Sequence, residues 1–136
     1  MSKRTDIRNA IATAIRGQTI VDQNVLTSRY SALMSETFPI ILVYTPEEDP
    51  ELLVPAPAKY NRTLRVAISA IVKANESVDD SLDSLADEIE AAIIRDATFG
   101  GLAMGTVMKK IESEIEYVGE MQFGAIHLNF EVQYYQ

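Results

Sequence analysis

The chain is 136 residues long, with 47% hydrophobic residues, no cysteine and a formal net charge of −8. That length and apolar share suit one domain, residues 1–136, with a real core, and they exclude wholesale disorder. The negative balance argues against tight nucleic-acid binding, the missing thiols exclude disulfides and thiolate metal sites, and no apolar run approaches the ~20 residues that cross a bilayer.

The opening Met1-Ser2-Lys3-Arg4-Thr5-Asp6 is polar and leads into a helix, so no secretory leader is expected. Ile7, Ala10, Ile11, Ala14 and Ile15 recur at helical spacing and predict an amphipathic helix over about Lys3 to Arg16, closed by Gly17. Its outer face carries Arg4, Arg8 and Arg16, either as a solvated face or as a docking face for an acidic neighbour. Val25-Leu26-Thr27 reads as a short strand after a turn at Asp22-Gln23-Asn24. Ile40-Ile41-Leu42-Val43 is a continuous apolar run, expected as a strand buried on both faces, with Pro39 near its start.

Thr45 to Lys59 holds Pro46, Pro50, Pro55 and Pro57 together with Glu47, Glu48, Asp49 and Glu51. Proline removes ladder donors and breaks helices, so this stretch is expected as a long loop. Leu52-Leu53-Val54 inside it is apolar and either adds an edge strand or covers a neighbouring subunit.

Tyr60 to Arg95 organises the rest. Leu64, Val66, Ile68, Ala70 and Val72 alternate along a strand. Ser77 and Asp80 resemble a capping box, and Leu82, Leu85, Ala86, Ile89 and Ile93 form one helical stripe. Neither face is stable in water alone, so the helix is expected to lie across the strand. Asp79, Asp80, Asp83, Asp87, Glu88 and Glu90 make that helix acidic outside.

Thr106 to Val118 predicts a strand with Val107, Lys109, Ile111, Ser113, Ile115 and Tyr117 on one side. Met108, Lys110, Glu112, Glu114 and Glu116 take the other. Gly119-Glu120-Met121-Gln122 reads as a turn. In the last strand Ile126, Leu128, Phe130, Val132 and Tyr134 alternate with His127, Asn129, Glu131, Gln133 and Tyr135. The expected class is α+β: a mostly antiparallel sheet of four to five strands with two main helices packed on one face.

A search for chemistry finds little. His127 is the one histidine, and no G-x-S-x-G nucleophile motif accompanies it. Gly100 to Thr106 looks like a phosphate loop but lacks its lysine and leads from helix to strand, the reverse of what phosphate cradling needs. Glu112, Glu114 and Glu116 form a carboxylate row that pairs with Arg62 or Arg65, or lines a surface that must not hold DNA. No catalytic residue, metal site or cofactor is expected. The less favoured alternative is a small ligand-binding or enzymatic domain around His127 and the Gly100-Gly101 loop.

The chain resembles the tail terminator proteins of long-tailed phages and prophages, the minor tail protein U type. The resemblance rests on Ile7-Arg8-Asn9-Ala10-Ile11, Phe38-Pro39-Ile40-Ile41-Leu42-Val43-Tyr44, Tyr60-Asn61-Arg62-Thr63-Leu64-Arg65-Val66, the helix from Asp79 to Glu90, and Leu128-Asn129-Phe130-Glu131-Val132-Gln133-Tyr134. It implies a small α+β subunit in a hexameric ring that caps the tail tube, ends its polymerisation and offers a surface to the head–tail connector. It also implies that DNA passes through without specific binding, that no membrane is involved, and that the protein is made in the host cytoplasm and resides in the virion tail. On that footing Arg4, Arg8, Asp83 and Asp87 are expected between subunits. Glu47, Glu48, Asp49, Leu52, Leu53 and Val54 are expected at the tube or connector, with Glu112, Glu114 and Glu116 lining the lumen. A neck or head-completion protein of the same virion is the alternative within assembly.

Overall fold

The computed structural model describes residues 2–19, 24–27, 38–74, 76–118 and 121–136, with only the backbone at positions 116, 118 and 121. The turns read at Asp22-Gln23 and Gly119-Glu120, and Asn75, lie outside the described residues. The elements run α1 (Lys3–Ile15), β1 (Val25–Leu26), β2 (Ile40–Pro55), β3 (Ala58–Lys73), α2 (Val78–Ile94), β4 (Gly105–Val118) and β5 (Met121–Tyr135). The five strands form one sheet in the order β1-β2-β3-β5-β4. Only the short β1–β2 pairing is parallel. The α+β class and the single helical layer follow the sequence pattern.

β3 and β5 form the centre. Their ladder is unbroken from Asn61 opposite Tyr135 to Lys73 opposite Phe123. The alternation therefore stacks Leu64 on Val132, Val66 on Phe130, Ile68 on Leu128 and Ala70 on Ile126, all on one face and all buried. Against that face α2 lays Leu82, Leu85, Ala86, Ile89 and Ile93, and α1 lays Ile7, Ile11, Ala12 and Ile15. Burial of each such side chain contributes about 1.5–3 kcal/mol, so the two helix stripes and the sheet face depend on each other.

Helix ends match the reading at α1 and depart from it at α2. Ser2 caps α1 by accepting from the Thr5 amide at 3.2 Å, and Gly17 follows its end with a positive φ of 77°. Ser77 precedes α2 but its side chain makes no capping bond, so the Ser77–Asp80 capping box does not form. Asp79 and Asp80 in the first turn still complement the helix dipole.

Two expectations are corrected. Thr45 to Pro55 is strand, not loop: β2 pairs with β3 out to Pro55 opposite Ala58, and Ala56-Pro57 make a two-residue turn. The prolines are tolerated because, among the described residues, β1 covers β2 only at Ile41 and Leu42, and the remaining length is an edge where a missing N–H is tolerated. In β4, a register shift between Met108 and Lys110 inserts Lys109 as an extra residue. Parity flips there, so Met108 shares its side with Ile111, Ser113 and Ile115, and Val107 shares its side with Lys110, Glu112 and Glu114.

Gly124 lies opposite Val72, under the start of α2. A Cβ at this position would stand 2.4 Å from Val78 Cγ2 and 3.2 Å from Leu82 Cδ1. Gly124→Ala is therefore expected to lower stability by about 1–3 kcal/mol through overpacking, read as a lower denaturation midpoint in urea.

Candidate functional site

A second register shift, between Tyr44 and Glu47, decides where the acids of β2 point. Before it, Ile41 and Val43 face the helices. The extra residue, beside Pro46, switches the parity, so Glu48 opposite Leu64 faces inward. Its side chain is only 8% exposed and holds four elements together. It accepts from Arg62 of β3 at 3.0 Å, from Arg4 of α1 at 3.4 Å and from the Tyr134 hydroxyl of β5 in a short contact. A buried carboxylate needs such partners, since an unpaired charge there is strongly destabilising. Burial, then the hydrogen bond to Glu48, push the Tyr134 hydroxyl up to about 12.

This brace reshapes the expected contact set. Glu48 is an internal anchor. Glu47 and Asp49 lie on the opposite, open face and pair with Arg65 at 2.7 and 3.7 Å. Leu52, Leu53 and Val54 stand at the hairpin end, exposed at 53, 50 and 45%. Among the described residues the hairpin runs past its pairing with β5, which reaches Tyr60 through backbone bonds with Gln136 at 3.1 and 3.2 Å, and its far end forms an arm. Arg8 turns to Thr45 at 3.1 Å, and its Nε is buried without a partner in the described residues. Arg16 donates to the Val25 carbonyl at 2.8 Å. The expected basic outer face of α1 is thus largely tied inward, leaving Arg4 more than half exposed. Asp83 and Asp87 lie on the solvent side of α2.

In the carboxylate row, Glu112 pairs with Lys110 at 2.5 Å and Glu114 with His127 at 2.8 Å. The pairings expected with Arg62 or Arg65 are not formed, because β5 lies between β4 and β3. Glu116 continues the strand opposite Phe123.

His127 has partners that the sequence did not reveal. Its Nδ1 lies 2.6 Å from Ser69 Oγ and its Nε2 lies 2.8 Å from Glu114 Oε1. The connectivity is that of a Ser-His-acid relay, but the geometry runs the wrong way round for one. In a hydrolase the nucleophile faces substrate and the acid is buried. Here Ser69 is 2% exposed and Glu114 is the half-exposed member. Ser69 sits mid-strand, directly opposite His127, and so belongs to no turn or helix N-terminus that would supply oxyanion donors from its own neighbours. The line of three satisfies a buried hydroxyl across adjacent strands.

Asp96 organises the connection after α2. It accepts from the Thr98 hydroxyl at 2.7 Å, the Gly100 amide at 2.8 Å and the Thr98 amide at 3.1 Å, which hold its carboxyl below the usual range. Gly100 and Gly101 have φ of 71° and 90°, so the glycine pair makes a tight helix-to-strand turn. Among the described residues no group of three or more His, Cys, Asp or Glu is placed to hold a metal ion. Two open clefts stand out among the described residues. One, about 340 Å³, lies between the helices and is lined by Ala10, Ala14, Ala92 and Phe99. The other, about 380 Å³, lies where the arm leaves the sheet and is lined by Lys3, Arg4, Tyr60, Arg62 and Tyr134.

No family model matches the chain, and no curated protein matches it. The fold is similar to that of a chain in the solved structure of the virion of a native gene transfer agent (GTA) particle, with a TM-score of 0.51 and 14% identity. The superposition covers 93% of this chain and 92% of that one. At such identity the likeness is one of fold.

The brace gives a pH signature. Tyr134 titrates higher folded (about 12) than its ordinary 10.0, so folding favours the neutral phenol. Its contribution is intact below pH ~10 and is lost as pH rises towards ~12. Tyr134→Phe is expected to be less stable at neutral pH and to show a shallower loss of stability across that window, measured by denaturation at stepped pH.

Proposed function

We propose that this chain is a structural protein of a phage-like virion, and that it acts as a tail terminator. In this reading several copies, six by the resemblance, close into a ring on the end of the tail tube. The ring covers the surface where the next tube subunit would add, and its other side receives the head–tail connector. No bond in any substrate is made or broken. The observation that carries the reading is the fold likeness to a chain of a virion particle over nearly the full length of both chains.

Three features support it. Among the described residues the Glu48 cluster is an internal brace, and the Ser69–His127–Glu114 line keeps its hydroxyl buried. The arm presents Leu52, Leu53 and Val54 to solvent, which is stable only in small amounts on a free chain and is expected where a partner covers it. The net charge of −8 suits a lumen through which DNA slides without sticking. Glu112 and Glu114 belong to that lining in this proposal, although Lys110 and His127 partly offset their charge.

Leaving the protein out of tail assembly is expected to give overlong tubes under negative-stain microscopy. Tubes of normal length that fail to join heads would instead assign it to the neck. Leu53→Asp places a charge on the exposed arm and is expected to change stability by no more than about 0.5 kcal/mol. The same variant should fail to end tube growth; full capping by it would remove the arm from the tube contact.

A further inference from the structure

The cleft at the base of the arm is cationic. Lys3, Arg4 and Arg62 converge there with Tyr60 and Tyr134, and Glu48 is the acid that reaches Arg4 and Arg62. Two of the cations are stacked in place: the Lys3 ammonium lies 5.6 Å from the Tyr134 ring centre and the Arg62 guanidinium 4.9 Å from that of Tyr60. Glu48 is the one acidic side chain against these three cationic ones, and Arg62 also donates to the Gln136 main-chain oxygen at 3.3 Å. The outer side of α2 carries the opposite sign. Asp79, Asp80, Asp83 and Asp87 are all exposed, and none of them forms a salt bridge among the described residues. Capping the helix accounts for the first two only.

Among the described residues no salt bridge joins these two patches. The cleft is built at Arg62 and Tyr134, whereas α2 begins over Val72 and Gly124. Ten strand residues separate Arg62 from Val72, roughly 33 Å. The acidic face of α2 thus starts, at Asp79 and Asp80, at the far end of the ladder from the cleft, an arrangement that suits a neighbour placed head to tail.

We propose that the cationic cleft of one copy receives the acidic face of α2 of a second copy, and that this is the contact that closes the ring. The proposal rests on the assembly reading above and specifies its interface. It moves the basic side of the interface away from Arg8, which is turned inward, to Lys3, Arg4 and Arg62. The acidic side extends from Asp79 through Asp87. A contact of this kind is heterologous, so it builds a closed ring when the rotation between copies closes.

Lys3 and Asp83 are the residues to exchange, because neither supports the core. Lys3→Glu even adds a favourable acid to the first turn of α1. Sedimentation velocity of the full-length chain over a range of concentrations reads the association. Lys3→Glu and Asp83→Lys are each expected to weaken association by about tenfold or more, since like charges brought together cost over a kcal/mol. The double exchange is expected to recover most of it, and added salt is expected to weaken the wild type more than either variant. A wild-type oligomer that neither single variant disturbs overturns this contact and leaves the ring standing. A wild type that stays monomeric both free and on tube ends overturns the ring and the contact together.

Discussion

The ladder between β3 and β5 is the constraint on which the remaining structure depends. These strands are neighbours in the sheet but far apart in the chain, with α2 and β4 between them. The β2–β3 and β4–β5 hairpins can each form locally, since only two residues separate the strands of each. Joining them requires closing a long loop, and that entropic cost must be met by burial. The burial comes from α2, whose Leu82, Leu85 and Ile89 cover residues of both hairpins at once. Gly124 lets the helix settle at its near end, where any side chain would collide with Val78. The helix is therefore the element that turns two hairpins into one sheet.

Much of this was legible in residue pattern, because alternation is a local signal. Leu64 to Val72 and Ile126 to Tyr134 each report their buried face without knowledge of the partner strand. Bulges defeat the same logic. Nothing in Tyr44-Thr45-Pro46-Glu47 or Met108-Lys109-Lys110 announces which residue is unpaired, yet each bulge reverses every side chain beyond it. The prolines of β2 misled in a related way. They exclude a central strand, but they say nothing against an edge, and whether a strand is an edge is a property of the finished sheet.

The candidate site was less legible for the same reason. Glu48 looks like one acid in an acidic run; alternation sets it apart from Glu47 and Asp49, and the bulge at Pro46 decides that it, and not they, faces inward. Its value lies in partners drawn from α1, β3 and β5, none of which is near in sequence. Likewise Ser69, His127 and Glu114 carry no motif, and their line follows from β5 lying between β3 and β4. Residue types that suggest catalysis are here doing cross-strand pairing. What separates the two is exposure, and the hydroxyl that would have to attack is the most deeply buried of the three.

The two edges of the sheet are protected by different means, and this bears on where partners can bind. Along β2, prolines remove donors and α1 reaches over through Arg8 and Arg4, so a further strand cannot readily pair. Along β4, fourteen residues run without proline, and Val107, Ile111, Ile115 and Tyr117 are exposed. The lysine bulge and the glutamates discourage indiscriminate edge pairing while leaving apolar surface between the charges. Exposed apolar side chains thus include Leu52, Leu53 and Val54 on the arm and Val107, Ile111, Ile115 and Tyr117 on β4, surface that the assembly proposed above would cover.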